Sequence, residues 1–137
     1  MDHMMGITHT INDKAVPSVV FTTPMIASVG LTEEQANSQQ IPIRVLKTPY
    51  SAAGKSLVMN AQNGFVKLIL STHDQSVLGA TIMGHDADHL ITSVTLQIQN
   101  RLPFQSIQNT IFAHPTMSEI IHEAYLGIDG QAIHYLE

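Results

Sequence analysis

Two runs of apolar and β-branched residues, Gly64 to Ser71 and Val77 to Met83, flank the turn-rich cluster Thr72-His73-Asp74-Gln75-Ser76. That pattern predicts an antiparallel hairpin. Val66, Leu68 and Leu70 fall on one strand face, with Phe65, Lys67 and Ile69 on the other. After Gly84 the apolar period lengthens. Leu90, Ile91, Val94, Ile98 and Leu102 lie on one helical stripe. Strand periods therefore come first and helical periods last. This order predicts an α+β fold, an antiparallel sheet with helices packed on one face.

The flanking segments extend the pattern. Val16 to Thr22 reads as a strand, Pro24 interrupts it, and Ile26 to Leu31 resumes as a second strand. Thr32 to Asn37 reads as a short helix, with Thr32 as N-cap and Gln35 in the capping-box position. Ile41 to Tyr50 is a further strand, and Ser51 to Asn63 a loop with one turn of helix. Asp86 and Asp88 are expected in the first turn of the long helix and Arg101 in its last, as the helix dipole favours. Pro103 separates a shorter helix with Phe104, Ile107 and Ile111 inward. A final helix is expected from Thr116 to Tyr125, stopped by Gly127.

Composition narrows the function classes. The 137 residues suffice for one domain with a core. Residues 1–15 read as a tag remnant or a loose N-terminal arm, and residues 16–137 as the domain. Charged residues make up only 12% against 44% hydrophobic, which points to a face hidden against something else. The net charge is −5 and the six basic residues are scattered, so neither nucleic acid nor membrane is an expected partner. Cysteine is absent, which removes thiol chemistry and disulfides from the chain itself. The expected compartment is the cytoplasm.

Two constellations carry chemistry. In Phe112-Ala113-His114-Pro115-Thr116-Met117-Ser118-Glu119, a histidine precedes a proline and stands five residues before a glutamate. Thr116 to Glu119 fits a capping box, so Glu119 has a purely structural task available. The same placement lets the carboxylate hydrogen-bond the imidazole, a group that gives and takes protons near neutral pH. The second constellation, His85-Asp86-Ala87-Asp88-His89, spaces two histidines as a metal site on a helix would; no third ligand is evident in the sequence, although His122 or His134 could fold back. It also fits a helix start carrying acidic residues and exposed histidines.

Three stretches together resemble a known family. They are Val16-Pro17-Ser18-Val19-Val20-Phe21-Thr22 with Ala27 to Glu33, Gly64 to Ile69 with Val77 to Gly84, and Ala113 to Glu119. In this order they resemble the C-terminal dimerisation (interface) domain of the pyridine nucleotide-disulfide oxidoreductases. The segment Ala113 to Glu119 and the ending Glu123-Ala124 with Gly130 to His134 are most similar to dihydrolipoamide dehydrogenase. The resemblance implies that His114 is the acid/base of dithiol-disulfide exchange and that Glu119 orients it. It implies action in trans, on the redox-active disulfide and flavin of the partner subunit in a homodimer. The main chain at His114 and Pro115 would approach that flavin, and the bond between them is typically cis in the family. Phe112 departs from the histidine that many members carry there.

FAD and NAD(P) are then the cofactors of the parent enzyme. No dinucleotide fingerprint and no paired cysteines occur in this sequence, so neither cofactor is expected on this chain alone, and the chain alone is expected to be inactive. Two alternatives stay open at this point. One is a stand-alone protein-interaction module of the same fold; the other is a small metal-dependent hydrolase built on His85 and His89.

Overall fold

A computed structural model of the chain describes Gly6 and residues 15–135. The expectation of a loose arm over residues 1–15 therefore lies almost wholly outside the described residues, although Ala15 itself is buried. The elements are β1 (Ser18–Val20), β2 (Met25–Gly30), α1 (Glu33–Ser38), β3 (Ile43–Pro49), α2 (Gly54–Val58), β4 (Phe65–Ser71), β5 (Val77–Gly84), α3 (Ala87–Asn100), α4 (Phe104–Gln108) and α5 (Glu119–Leu126). The five strands form one sheet in the order β1-β2-β5-β4-β3. Every neighbouring pair is antiparallel.

Register explains which face is covered. Ala27 and Val29 of β2 stand beside Ile82 and Ala80 of β5. Those in turn pair with Val66 and Leu68 of β4, and Leu68 pairs with Leu46 of β3. All seven are buried in one core cluster, with Leu90, Ile91 and Val94 of α3 and Ile120, Ile121, Ala124 and Tyr125 of α5. Each fully buried Leu or Ile contributes about 1.5–3 kcal/mol. α3 covers β2 and β5, and α5 covers β3 and β4. The fold is thus the α+β layer expected from the order of the periods. On the opposite face Lys67 reaches Glu33 of α1 at 2.6 Å, and Lys47 lies over the Phe65 ring at 4.2 Å.

One buried polar contact ties the two long helices together. The Tyr125 hydroxyl donates to Gln97 Oε1, and Gln97 Nε2 donates to the Leu102 carbonyl at 3.2 Å. Both side chains are buried, so each polar group needs the other. None of the described helices is long and apolar enough to cross a membrane.

Some sequence expectations are met in detail and others shift, each for a local reason. The capping box at Thr32 is complete, with Thr32 Oγ1 accepting from Gln35 N and Thr32 N donating to Gln35 Oε1. Residues 51–63 contain the helical turn expected within that loop. A 3₁₀ turn spans Tyr50–Ala52 and α2 follows, because the buried Ser56 hydroxyl lies 2.5 Å from the Tyr50 carbonyl and 2.7 Å from that of Ala53. Asp86 is not in the first turn of α3. It is the N-cap residue, in left-handed backbone. Arg101 likewise caps the other end in left-handed backbone, which turns Leu102 off the buried stripe and leaves it exposed. Ile111 is 96% exposed, not inward, since α4 ends before it. Gly127 caps the end of α5 as expected, but without left-handed backbone. Its φ is −60, a 3₁₀ turn continues to Asp129, and Gly130 at φ 69 makes the reversal.

Gly84 shows how tightly the sheet end is packed. Its φ is +149, and a Cβ there would lie 2.4 Å from the Tyr50 ring. Tyr50 is fully buried, and its hydroxyl donates to the His85 carbonyl at 3.0 Å. Gly84→Ala is expected to destabilise the chain by about 2–4 kcal/mol, read as a lower urea midpoint. An unchanged midpoint would contradict this packing.

Candidate functional site

The segment between α4 and α5 crosses the end of the domain as an irregular loop. Its inner side is held by Phe112, whose ring stacks on His122 of α5 with centroids 4.8 Å apart and planes at 16°. His122 Nε2–H donates to the Gln108 carbonyl at 2.9 Å, closing the base of the loop. Past Phe112 the chain turns outward. The His114–Pro115 peptide bond is cis, as is Thr23–Pro24. His114 then stands with its side chain 78% exposed.

Glu119 joins this ring to the helix. Its Oε1 accepts from His114 Nδ1 at 2.8 Å, and its Oε2 accepts from the Thr116 amide at 2.7 Å. A carboxylate can only accept, so Nδ1 carries the proton and Nε2 is the ring nitrogen left for another molecule. Only half of the expected capping box forms. The Thr116 hydroxyl donates to the Ala113 carbonyl at 2.8 Å and meets the Ser118 hydroxyl, not the helix amides. For that reason α5 begins at Glu119, three residues later than the sequence pattern predicts.

The electrostatics follow from these contacts. Partial burial works to raise the Glu119 carboxyl. The Thr116 amide, the His114 hydrogen bond and the charges of His114 and His134 outweigh it, and the carboxyl sits below its ordinary value.

A second pair was not legible as such in the sequence. Glu123, one turn further along α5, is buried. Its Oε1 accepts from His134 Nδ1 at 2.5 Å, and its Oε2 accepts from the Ile133 amide at 3.0 Å. The available signal was a glutamate set among Ile120, Ile121, Ala124 and Tyr125 on the inner side of a helix, a place where a charge requires a partner.

The histidines at the start of α3 behave differently. His85 lies outside the helix, which begins at Ala87, because Asp86 is left-handed. His85 and His89 therefore do not share a helical face. Nε2 of His85 lies 3.4 Å from Asp86, and Nε2 of His89 lies 3.7 Å from Asp88. His122 and His134 are engaged elsewhere. Among the described residues no three His, Cys, Asp or Glu side chains converge as a metal set would.

The sequence model for the dimerisation domain of the pyridine nucleotide-disulphide oxidoreductases matches residues 16–125. The chain belongs to that family. It is 41% identical to a dihydrolipoyl dehydrogenase of Chlamydia trachomatis over 93% of its own length and 28% of that protein. A dihydrolipoyl dehydrogenase of Bacillus subtilis is 40% identical over 89% of this chain and 26% of that protein. Among solved structures, LpdA from Mycobacterium tuberculosis superposes with a TM-score of 0.84 at 25% identity, over 93% of this chain and 28% of that one. The HOCl-induced flavoprotein disulfide reductase RclA from Escherichia coli superposes at 0.82 with 34% identity, over 90% and 29%. The chain thus spans less than a third of the length of the curated relatives it matches. The irregular loop, His114 and Glu119 fall inside the matched residues; the tail from Leu126 onward lies beyond them.

Because its folded value is depressed, Glu119 contributes stability that is present above the ordinary glutamate range and lost as pH falls through the folded value. Wild type is expected to exceed Glu119→Gln by about 0.5–1 kcal/mol at pH 7. The gap should close on acidification below pH 4.5, the reference value for the free group. Urea unfolding of both proteins across that range checks the sign, and a gap that widens in acid would contradict it.

Proposed function

We propose that this chain serves as the dimerisation domain of a dihydrolipoamide dehydrogenase-like flavoenzyme and lends His114 and Glu119, in trans, to the dithiol-disulfide site of the partner subunit. The observation that carries the reading is the 2.8 Å contact between His114 Nδ1 and Glu119 Oε1 beneath an exposed ring. A carboxylate that fixes the tautomer and leaves Nε2 outward is the arrangement of a general base.

The chemistry balances with few parts. Nε2 takes the proton of one substrate thiol. The resulting thiolate attacks a sulfur of the partner's disulfide, forming a mixed disulfide and releasing one protein thiolate. The imidazolium, stabilised by Glu119, gives that proton to the released protein thiolate, and Nε2 is free to take the proton of the second substrate thiol. The second substrate thiolate displaces the protein sulfur of the mixed disulfide, so the substrate leaves as its disulfide, one protein sulfur stands as a thiol, the other as a thiolate, and the imidazolium holds the second proton. FAD and NAD(P), when bound in the parent enzyme, supply the route by which the electron pair departs. They belong to its other domains, because this sequence carries no dinucleotide fingerprint. His114 and Pro115 are both exposed residues, which fits an approach of this segment to the partner's flavin.

The proposed partners are a second copy of the subunit and the FAD- and NAD-binding domains, in the cytoplasm. The exposed apolar side chains Ile111, Leu102 and Ile133 are consistent with a covered face in that assembly.

In the assembled enzyme, His114→Ala is expected to lower dihydrolipoamide turnover by at least about 100-fold, with flavin content unchanged. Glu119→Gln should cost less, on the order of 10-fold. Steady-state kinetics with flavin absorbance read both. Unchanged turnover in His114→Ala would remove the acid/base assignment.

A further inference from the structure

The two glutamates of α5 are used in the same way. Each gives one carboxylate oxygen to a backbone amide and the other to a histidine Nδ1: Glu119 to Thr116 and His114, Glu123 to Ile133 and His134. They are four residues apart, which stacks them on one helix face with Cβ atoms about 5–6 Å apart. The second pair is made by the tail. Gly130 reverses the chain in left-handed backbone, and Gln131 N donates to the Leu126 carbonyl at 2.9 Å. The returning segment is fixed again at Tyr135, whose hydroxyl accepts from Thr48 Oγ1 at 2.9 Å. Between these anchors the His134 side chain is 60% exposed while Glu123 beneath it is buried.

We propose that Glu123 and His134 are positioning residues of the His114–Glu119 site: Glu123 stands one helical turn from Glu119, and the tail clamp holds a second imidazole on it. This inference rests on the reading of His114 and Glu119 as the reacting pair. An ionised Glu119 accepts from both His114 and Thr116. Protonation would turn one of its oxygens into a donor and break that pattern. A protonated His134 favours the ionised form, so the clamp keeps Glu119 able to orient His114 as the medium acidifies. The direction agrees with the smallest of the influences that lower the Glu119 carboxyl, the charge of His134, after the Thr116 amide and His114.

The other charged groups around α5 are occupied elsewhere. Arg44 of β3 donates to the Ile128 carbonyl and Lys47 lies over Phe65. Lys67 of β4 pairs with Glu33, and the Tyr50 hydroxyl is bound to His85. His122 is bound to Gln108, which also lies near Asp129. α4 carries no ionisable side chain.

The test is a pH titration of the Glu119 side-chain carboxyl by carbon-detected NMR in the 137-residue chain. Histidine is ordinarily protonated wherever a carboxylate titrates, so the charge is present throughout. His134→Gln keeps a donor for Glu123 and removes the charge; His134→Arg keeps both. The Glu119 midpoint is expected to rise by roughly 0.3–0.5 pH unit in His134→Gln and to stay at the wild-type value in His134→Arg. An unchanged midpoint in a folded His134→Gln chain, or the same rise in both variants, overturns the proposal. If the Gln variant releases the tail, seen in the Tyr135 signals, the Arg variant decides: no rise supports the clamp and a rise overturns it. Turnover of His114→Ala tests the reacting pair, and this titration tests the clamp, so either can fail without the other.

Discussion

The Glu119 carboxylate is the contact on which the site depends. One oxygen closes the start of α5 through the Thr116 amide, and the other holds the His114 ring. A single side chain thus couples the position of a helix to the tautomer of an exposed imidazole. Neither task excludes the other. A charge-assisted bond to a backbone amide is about twice as strong as a neutral one, so the rotamer that caps the helix is also the rotamer that meets the ring.

That contact needs a rigid floor, and the sheet supplies it. Val66, Leu68, Ile82 and Ala80 form a buried surface on which α5 lies beside α3. The bond from Tyr125 to Gln97 fastens the two helices at a buried point. Phe112 on His122 then fixes the loop that delivers His114. The sequence of supports runs from core to helix to loop to ring, and it leaves the His114 side chain 78% exposed. An exposed imidazole on a fixed base suits the proposed action on a second subunit.

Legibility in the sequence followed the range of each interaction. The hairpin Phe65–Ser71 and Val77–Gly84 and the stripe Leu90, Ile91 and Val94 were readable because their periods are local and strong. The complete capping box at Thr32 was readable for the same reason. Errors gathered where a tertiary contact redirected the backbone. Ile111 is exposed because α4 stops short, and the start of α5 moved because the Thr116 hydroxyl turned to Ala113. At the site, the pairing of His114 with Glu119 was legible from spacing and resemblance. The pairing of Glu123 with His134 depends on a tail that reverses at Gly130, and no short-range pattern encodes that return.

The central claim is that His114 acts on the other subunit. The direct measurement is complementation between two inactive full-length subunits, one carrying His114→Ala and the other lacking the redox-active cysteines. Action in trans pairs the intact disulfide of the first with the intact histidine of the second, so each mixed dimer regains one working site. A one-to-one mixture reassembled at random should recover about a quarter of wild-type turnover. Action within one subunit leaves every site with a missing part, and a mixture that stays inactive although mixed dimers form would contradict the account.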